Sequence, residues 1–130
     1  MGLVVNSACA YNQCPTYQGF YGPTVEVLAV PLYDDQKEGE PHQHAGNAKA
    51  YFKFVNQNIR TTIASGKSVL VHCYASLSRS VCLIIAYIME ELKLSAVDAT
   101  QFMKSKWSAS WPNDSFVFQL ISFEKELFSN

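Results

Sequence analysis

A chain of 130 residues with 48% apolar and 16% charged side chains is long enough to bury a core and too apolar for a disordered tract. Its net charge of −1 leaves no basic surplus for nucleic acid or an anionic membrane, and its longest apolar run, near Val81 to Met89, falls far short of a membrane span. Met1 to Val5 lacks the basic start of a secretory signal, Asn6 stands where myristoylation needs Ser or Thr, and Phe128-Ser129-Asn130 is no prenylation box. With no internal repeat, linker or low-complexity segment, residues 1–130 read as one domain.

In chain order, Val25 to Val30 (Val-Glu-Val-Leu-Ala-Val) reads as a strand, followed by Pro31-Leu32-Tyr33-Asp34-Asp35. Gln36 to Asn47 has almost no apolar anchor and reads as a long polar loop. His42 and His44 in it lack a third ligand, so no metal site is expected there. Ala48, Phe52, Val55, Ile59 and Ile63 recur at helical spacing, and Gly66 stands just past the end as a stop. Ser68 to His72 is a short β-branched run that predicts a buried strand, and Val81 to Met89 predicts a helix sunk in the core. Ser95-Ala96-Val97-Asp98 has the pattern of a capping box for a helix through Lys106. Trp107 and Trp111 read as packing residues. Phe116, Leu120, Phe123 and Leu127 form the apolar stripe of a last helix begun near Pro112-Asn113-Asp114. Strands alternating with helices predict an α/β fold, a central and mostly parallel sheet flanked by helices.

The chemistry concentrates in His72-Cys73-Tyr74-Ala75-Ser76-Leu77-Ser78-Arg79-Ser80, which joins a predicted strand to a predicted helix. A loop ending at a helix N-terminus aims unpaired backbone N–H groups at its contents, and the helix dipole favours negative charge there. Successive N–H groups make a nest for an anion, and Arg79 adds a planar fork that holds two phosphate oxygens at once. The same field favours the thiolate of Cys73, which beside a bound phosphate is an in-line nucleophile. Ser80 stands where its hydroxyl can donate to that sulfur and ease its departure.

The other cysteines are read differently. Cys82 falls inside the core helix and reads as a small hydrophobe. Cys9 and Cys14 are separated by four residues, with no second pair, so zinc is not expected; either could form a reversible disulfide with Cys73 under oxidation. A reactive Cys73 needs a reducing compartment, which points to the cytosol or nucleus.

The pattern His72-Cys73-x5-Arg79-Ser80 resembles the signature of the cysteine-dependent phosphatases. Ser78-Arg79-Ser80, Ala86-Tyr87-Ile88-Met89 and Trp111-Pro112-Asn113, followed by Phe116, Gln119 and Leu120, look like the dual-specificity branch of that superfamily. The resemblance runs from about Leu3 to Leu127. It implies a protein-phosphatase-like fold with Cys73 as nucleophile, Arg79 as phosphate clamp, and Tyr74, Ala75, Ser76, Leu77 and Ser78 lining the phosphate. It also implies a general-acid aspartate a few residues past an upstream strand. Asp34 matches, with Asp35 as the second candidate.

Three departures from the family pattern stand out. Ser76 occupies a position where the family has glycine, whose backbone freedom other residues lack. The Gln36 to Asn47 loop is long. The two strands and helix that normally precede the stretch matching Leu3 to Ala8 are missing, so an uncovered edge beside the Ser68 to His72 strand would invite self-association.

Two functions follow. One is a metal- and cofactor-free phosphatase acting on phosphotyrosine, and on phosphoserine or phosphothreonine, in a phosphoprotein partner. The uncharged loop residues favour that substrate over a multiply charged lipid head group. The other is a catalytically weak phosphoprotein-binding module of the same fold, suggested by Ser76 and the missing N-terminal strands.

Overall fold

The computed structural model describes residues 1–8, 19–32, 48–73, 78–108, 112 and 114–129. Cys9, Cys14, His42, His44 and Trp111 therefore lie outside the described residues.

Among the described residues three short strands form the sheet: β1 (Leu3–Asn6), β2 (Glu26–Ala29) and β3 (Val69–His72). Their order is β2-β1-β3, and both pairings are parallel. Leu3, Val4, Val5 and Asn6 of the middle strand are all buried, as expected where a parallel sheet is covered on both faces. The strand predicted over Val25 to Val30 is β2, one residue shorter at each end.

The prediction of a fully buried strand at Ser68 to His72 needs correction. Among the described residues β3 lies at the sheet edge, and Leu70 is 41% exposed. A run of Val and Leu looks the same whether a strand is buried on both faces or on one. Only what packs on each face decides: Val69 and Val71 pack toward the core that the helices share, and Leu70 on the alternate face is left open.

Helix α1 (Ala48–Ala64) buries Ala48, Phe52, Val55 and Ile59 as predicted, but Ile63 is 49% exposed. The helix runs beyond the core by its last turn, so the apolar stripe overshoots what there is to pack against. Gly66 closes it at φ +83°, with Gly66 N–H bonded to the Ile63 carbonyl and Lys67 N–H to that of Thr62, a Schellman stop.

Helix α2 (Ser78–Leu92) extends past both ends of the predicted Val81 to Met89 core segment. It packs on α1, β3, α3 (Ala96–Lys106) and α4 (Asp114–Phe128), and is the pillar of the helical layer. Its C-terminus is the less obvious one: Lys93 takes φ +57°, and Leu94 N–H reaches back to the Met89 carbonyl. A lysine does here what glycine does after α1. On neighbouring α1, Arg60 pairs with both Glu90 and Glu91, which hold its guanidinium above its ordinary pKa.

The predicted cap of α3 is present, with Ser95 Oγ accepting from Asp98 N–H at 3.1 Å. Trp107, read as a packing residue, is instead 47% exposed at the C-cap of α3, outside the core. Helix α4 buries Phe116, Leu120 and Phe123, and Phe123 meets Phe52 edge-on at 5.1 Å. The Phe52–Phe123 contact ties α1 to α4 across the core cluster that also takes in Leu3 and Val5.

Candidate active site

The carboxyl ends of the three parallel strands point the same way, and β2 and β3 flank β1 on opposite sides, the chain crossing over β1 between them. Such a switch point opens a crevice beyond the strand ends, where polar groups can gather without breaking the sheet. Asn6 and Ser7, both buried, close β1 there. Asn6 Oδ1 accepts from Ala8 N–H at 2.9 Å, a local turn that stops the strand. After β2, the Leu32 N–H bonds to the Val30 carbonyl at 2.9 Å, a tight turn centred on Pro31. After β3, the His72 ring Nδ1 lies 3.4 Å from the Cys73 carbonyl oxygen.

Helix α2 begins at Ser78, so Arg79 and Ser80 stand in its first turn and not in the loop before it. Ser78, Arg79 and Ser80 are all buried, and Arg79 is only 2% exposed. Cationic side chains are almost never so enclosed unless their charge is matched or used. Arg79 Nη1 donates to the Leu32 carbonyl at 3.4 Å, which joins the start of α2 to the end of the β2 segment. Cys73 is half-buried, and its Sγ lies 3.3 Å from Ser80 Oγ. Nucleophile candidate, clamp candidate and hydroxyl thus converge where β3 hands over to α2.

Of the residues singled out from sequence, Cys73, Ser78, Arg79 and Ser80 lie together where β3 ends and α2 begins. Asp34, Asp35, Tyr74, Ala75, Ser76 and Leu77 lie outside the described residues. Sequence reasoning passed over Ser7 and Leu32. Ser7 follows a strand too short to register in the reading, and Leu32 contributes a backbone carbonyl, which no side-chain pattern marks.

Cys82, one helical turn from Ser78, is fully buried, and burial pushes its thiol well above the ordinary value. It is a core residue, distinct in surroundings from Cys73. Among the described residues no three His, Cys, Asp or Glu side chains cluster to hold a metal, and no helix is long and apolar enough to cross a membrane.

Residues 3–126 match the family described as dual specificity phosphatase, catalytic domain. Human dual specificity protein phosphatase 14 is 33% identical over 120 residues, which are 92% of this chain and 57% of that protein. Dual specificity protein phosphatase 1B of Arabidopsis thaliana is 36% identical over 111 residues, 82% of this chain and 66% of that one. The chain thus spans less than two thirds of the length of either relative. The crystal structure of human DUSP28 matches with a TM-score of 0.76 at 29% identity, covering 98% of this chain and 76% of that chain.

Proposed function

As this chain belongs to the dual specificity phosphatase catalytic-domain family, we propose that it is a single catalytic domain hydrolysing phosphotyrosine, and phosphoserine or phosphothreonine, in protein substrates through a phosphocysteine intermediate. The observation that carries the reading is Cys73 Sγ at 3.3 Å from Ser80 Oγ, beside a buried Arg79 in the first turn of α2.

In the first step the Cys73 thiolate attacks phosphorus in line. The S–P bond forms, the P–O bond breaks, and its electron pair leaves on the tyrosyl, seryl or threonyl oxygen. Asp34 supplies the proton that oxygen takes up, with Asp35 as the alternative donor. Arg79 and the amides of the Tyr74 to Ser78 loop hold the non-bridging oxygens as charge shifts among them. In the second step the aspartate, now a carboxylate, takes a proton from water. The water oxygen attacks phosphorus, and sulfur departs as a thiolate stabilised by the Ser80 hydroxyl. Inorganic phosphate is released. The cytosol or nucleus, where the thiol stays reduced, suits this chemistry.

Steady-state hydrolysis of a phosphotyrosyl peptide and of an aryl phosphate tests the proposal. Wild type turns both over, whereas Cys73→Ser turns over neither and still retains the phosphopeptide. Asp34→Asn slows the peptide by about 10²–10⁴-fold and the better-leaving aryl phosphate less. The same pattern from Asp35→Asn instead moves the acid to Asp35. Absent turnover in wild type, with phosphopeptide still bound, replaces the enzyme with a binding module.

A further inference from the structure

We propose that Ser7 is a positioning residue for the Cys73 nucleophile, an inference that rests on the phosphatase reading. Ser7 is fully buried just past the end of β1. It gives two hydrogen bonds to one acceptor: its backbone N–H reaches the His72 carbonyl at 2.9 Å, and its Oγ reaches the same oxygen at 2.8 Å. His72 is the last residue of β3, and its carbonyl belongs to the peptide that leads into Cys73.

That peptide is planar, so the direction of the His72 C=O and the position of Cys73 Cα are fixed together. The backbone bond continues the β1–β3 ladder one residue beyond Asn6, and alone it leaves the second lone pair of the oxygen open. The hydroxyl fills it and pins the carbonyl from a second direction. The clasp lies one peptide from the sulfur that must meet both phosphorus and Ser80 Oγ, already 3.3 Å away.

A structural role for the side chain is the lesser account. The ladder bond needs no side chain, and alanine would fill a buried strand end without a hydroxyl to satisfy. A buried hydroxyl must find a partner, and this one takes the carbonyl that precedes the thiol. On the far side of Cys73, Ser80 fixes the sulfur from the helix. Ser7 and Ser80 thereby hold the nucleophile between sheet and helix.

The test compares wild type with Ser7→Ala and Ser7→Thr. Three quantities are read: kcat and KM on an aryl phosphate, the melting temperature, and the rate of Cys73 alkylation by iodoacetamide mapped by mass. Cys82, enclosed in the core, serves as the unlabelled control. Ser7→Ala keeps the ladder bond and folds. It loses kcat by about tenfold, the scale of one hydrogen bond, with KM within about twofold, and its Cys73 alkylates more slowly. Ser7→Thr restores both rates. A Ser7→Ala protein with wild-type kcat and alkylation rate overturns the proposal. So does one that fails to fold, because Ser7 is then a determinant of the fold. If wild type itself shows no turnover, the phosphatase reading fails on its own, and the alkylation rates still decide for or against Ser7.

Discussion

An arginine stands at each end of helix α2, Arg79 on the helix itself and Arg60 reaching it from α1, and the two live in opposite circumstances. Arg79 stands in the first turn, 2% exposed, donating to the Leu32 carbonyl. Arg60 reaches the other end from α1, its side chain 45% exposed, and is matched there by Glu90 and Glu91. Both placements respect the helix: the negative end attracts a cation, and the positive end favours an anion, the role the proposed function gives to a bound phosphate. The difference lies in burial. A guanidinium in water can be replaced by something else that water solvates. One enclosed by protein is fixed in geometry and costly to alter, which is what a transition state with moving charge requires.

The sharpest way to break this contrast is Arg79→Lys. It keeps the charge and removes the planar fork. We expect kcat to fall by about 10²–10³-fold, the scale of losing a preorganised donor, with phosphate or vanadate affinity falling alongside. Lysine that supports near wild-type turnover would mean the buried site needs only a point charge, and the distinction between the two arginines would shrink to solvent exposure.

Ser80→Ala ranks next. The contact from Ser80 Oγ to Cys73 Sγ matters most when sulfur must leave phosphorus. Rapid mixing with an aryl phosphate should then give a burst of phenol followed by a slower steady state, reduced by about tenfold, the scale of one hydrogen bond to a charged group. A uniform slowing without a burst would assign Ser80 to the first step, or to thiolate formation.

The two ends of α2 also differ in how far sequence foretold them. The Cys73 to Ser80 spacing stands out in the sequence because the proposed phosphate chemistry needs several groups at fixed intervals, and chance rarely supplies them together. The α1 and α4 stripes were legible because burial at helical period leaves a repeating mark. What escaped were features set by backbone or by pairing. The Leu32 carbonyl has no side-chain signature. The Lys93 turn adopts a backbone angle that sequence rules reserve for glycine or asparagine. The exposure of Leu70 follows from which face of β3 the helices cover, and Ile63 and Trp107 sit on elements that outrun the core. Short β1 offered too few residues for a pattern, so the Ser7 clasp on His72 came into view only with the strand pairing.

At the far end, Arg60→Gln should have the smallest effect. Its ion pairs with Glu90 and Glu91 are partly exposed, and exposed pairs contribute about 0–1 kcal/mol each. Two carboxylates left side by side at the negative end of a helix repel, so the sign should be destabilising, by a melting shift of a few degrees at low salt. Added salt screens the wild-type pairs and the variant repulsion alike, so the gap between the two proteins should narrow as ionic strength rises. Turnover should stay within about twofold, because the core between Val81 and Met89 holds α2 independently of this fastening. Melting curves and kcat at low and high salt read both expectations. A large loss of turnover with little loss of stability would show that Arg60 sets the tilt of α2 and, through the helix, the aim of Arg79. The two ends of α2 would then be one device, and the contrast between a reacting end and a fastening end would fail.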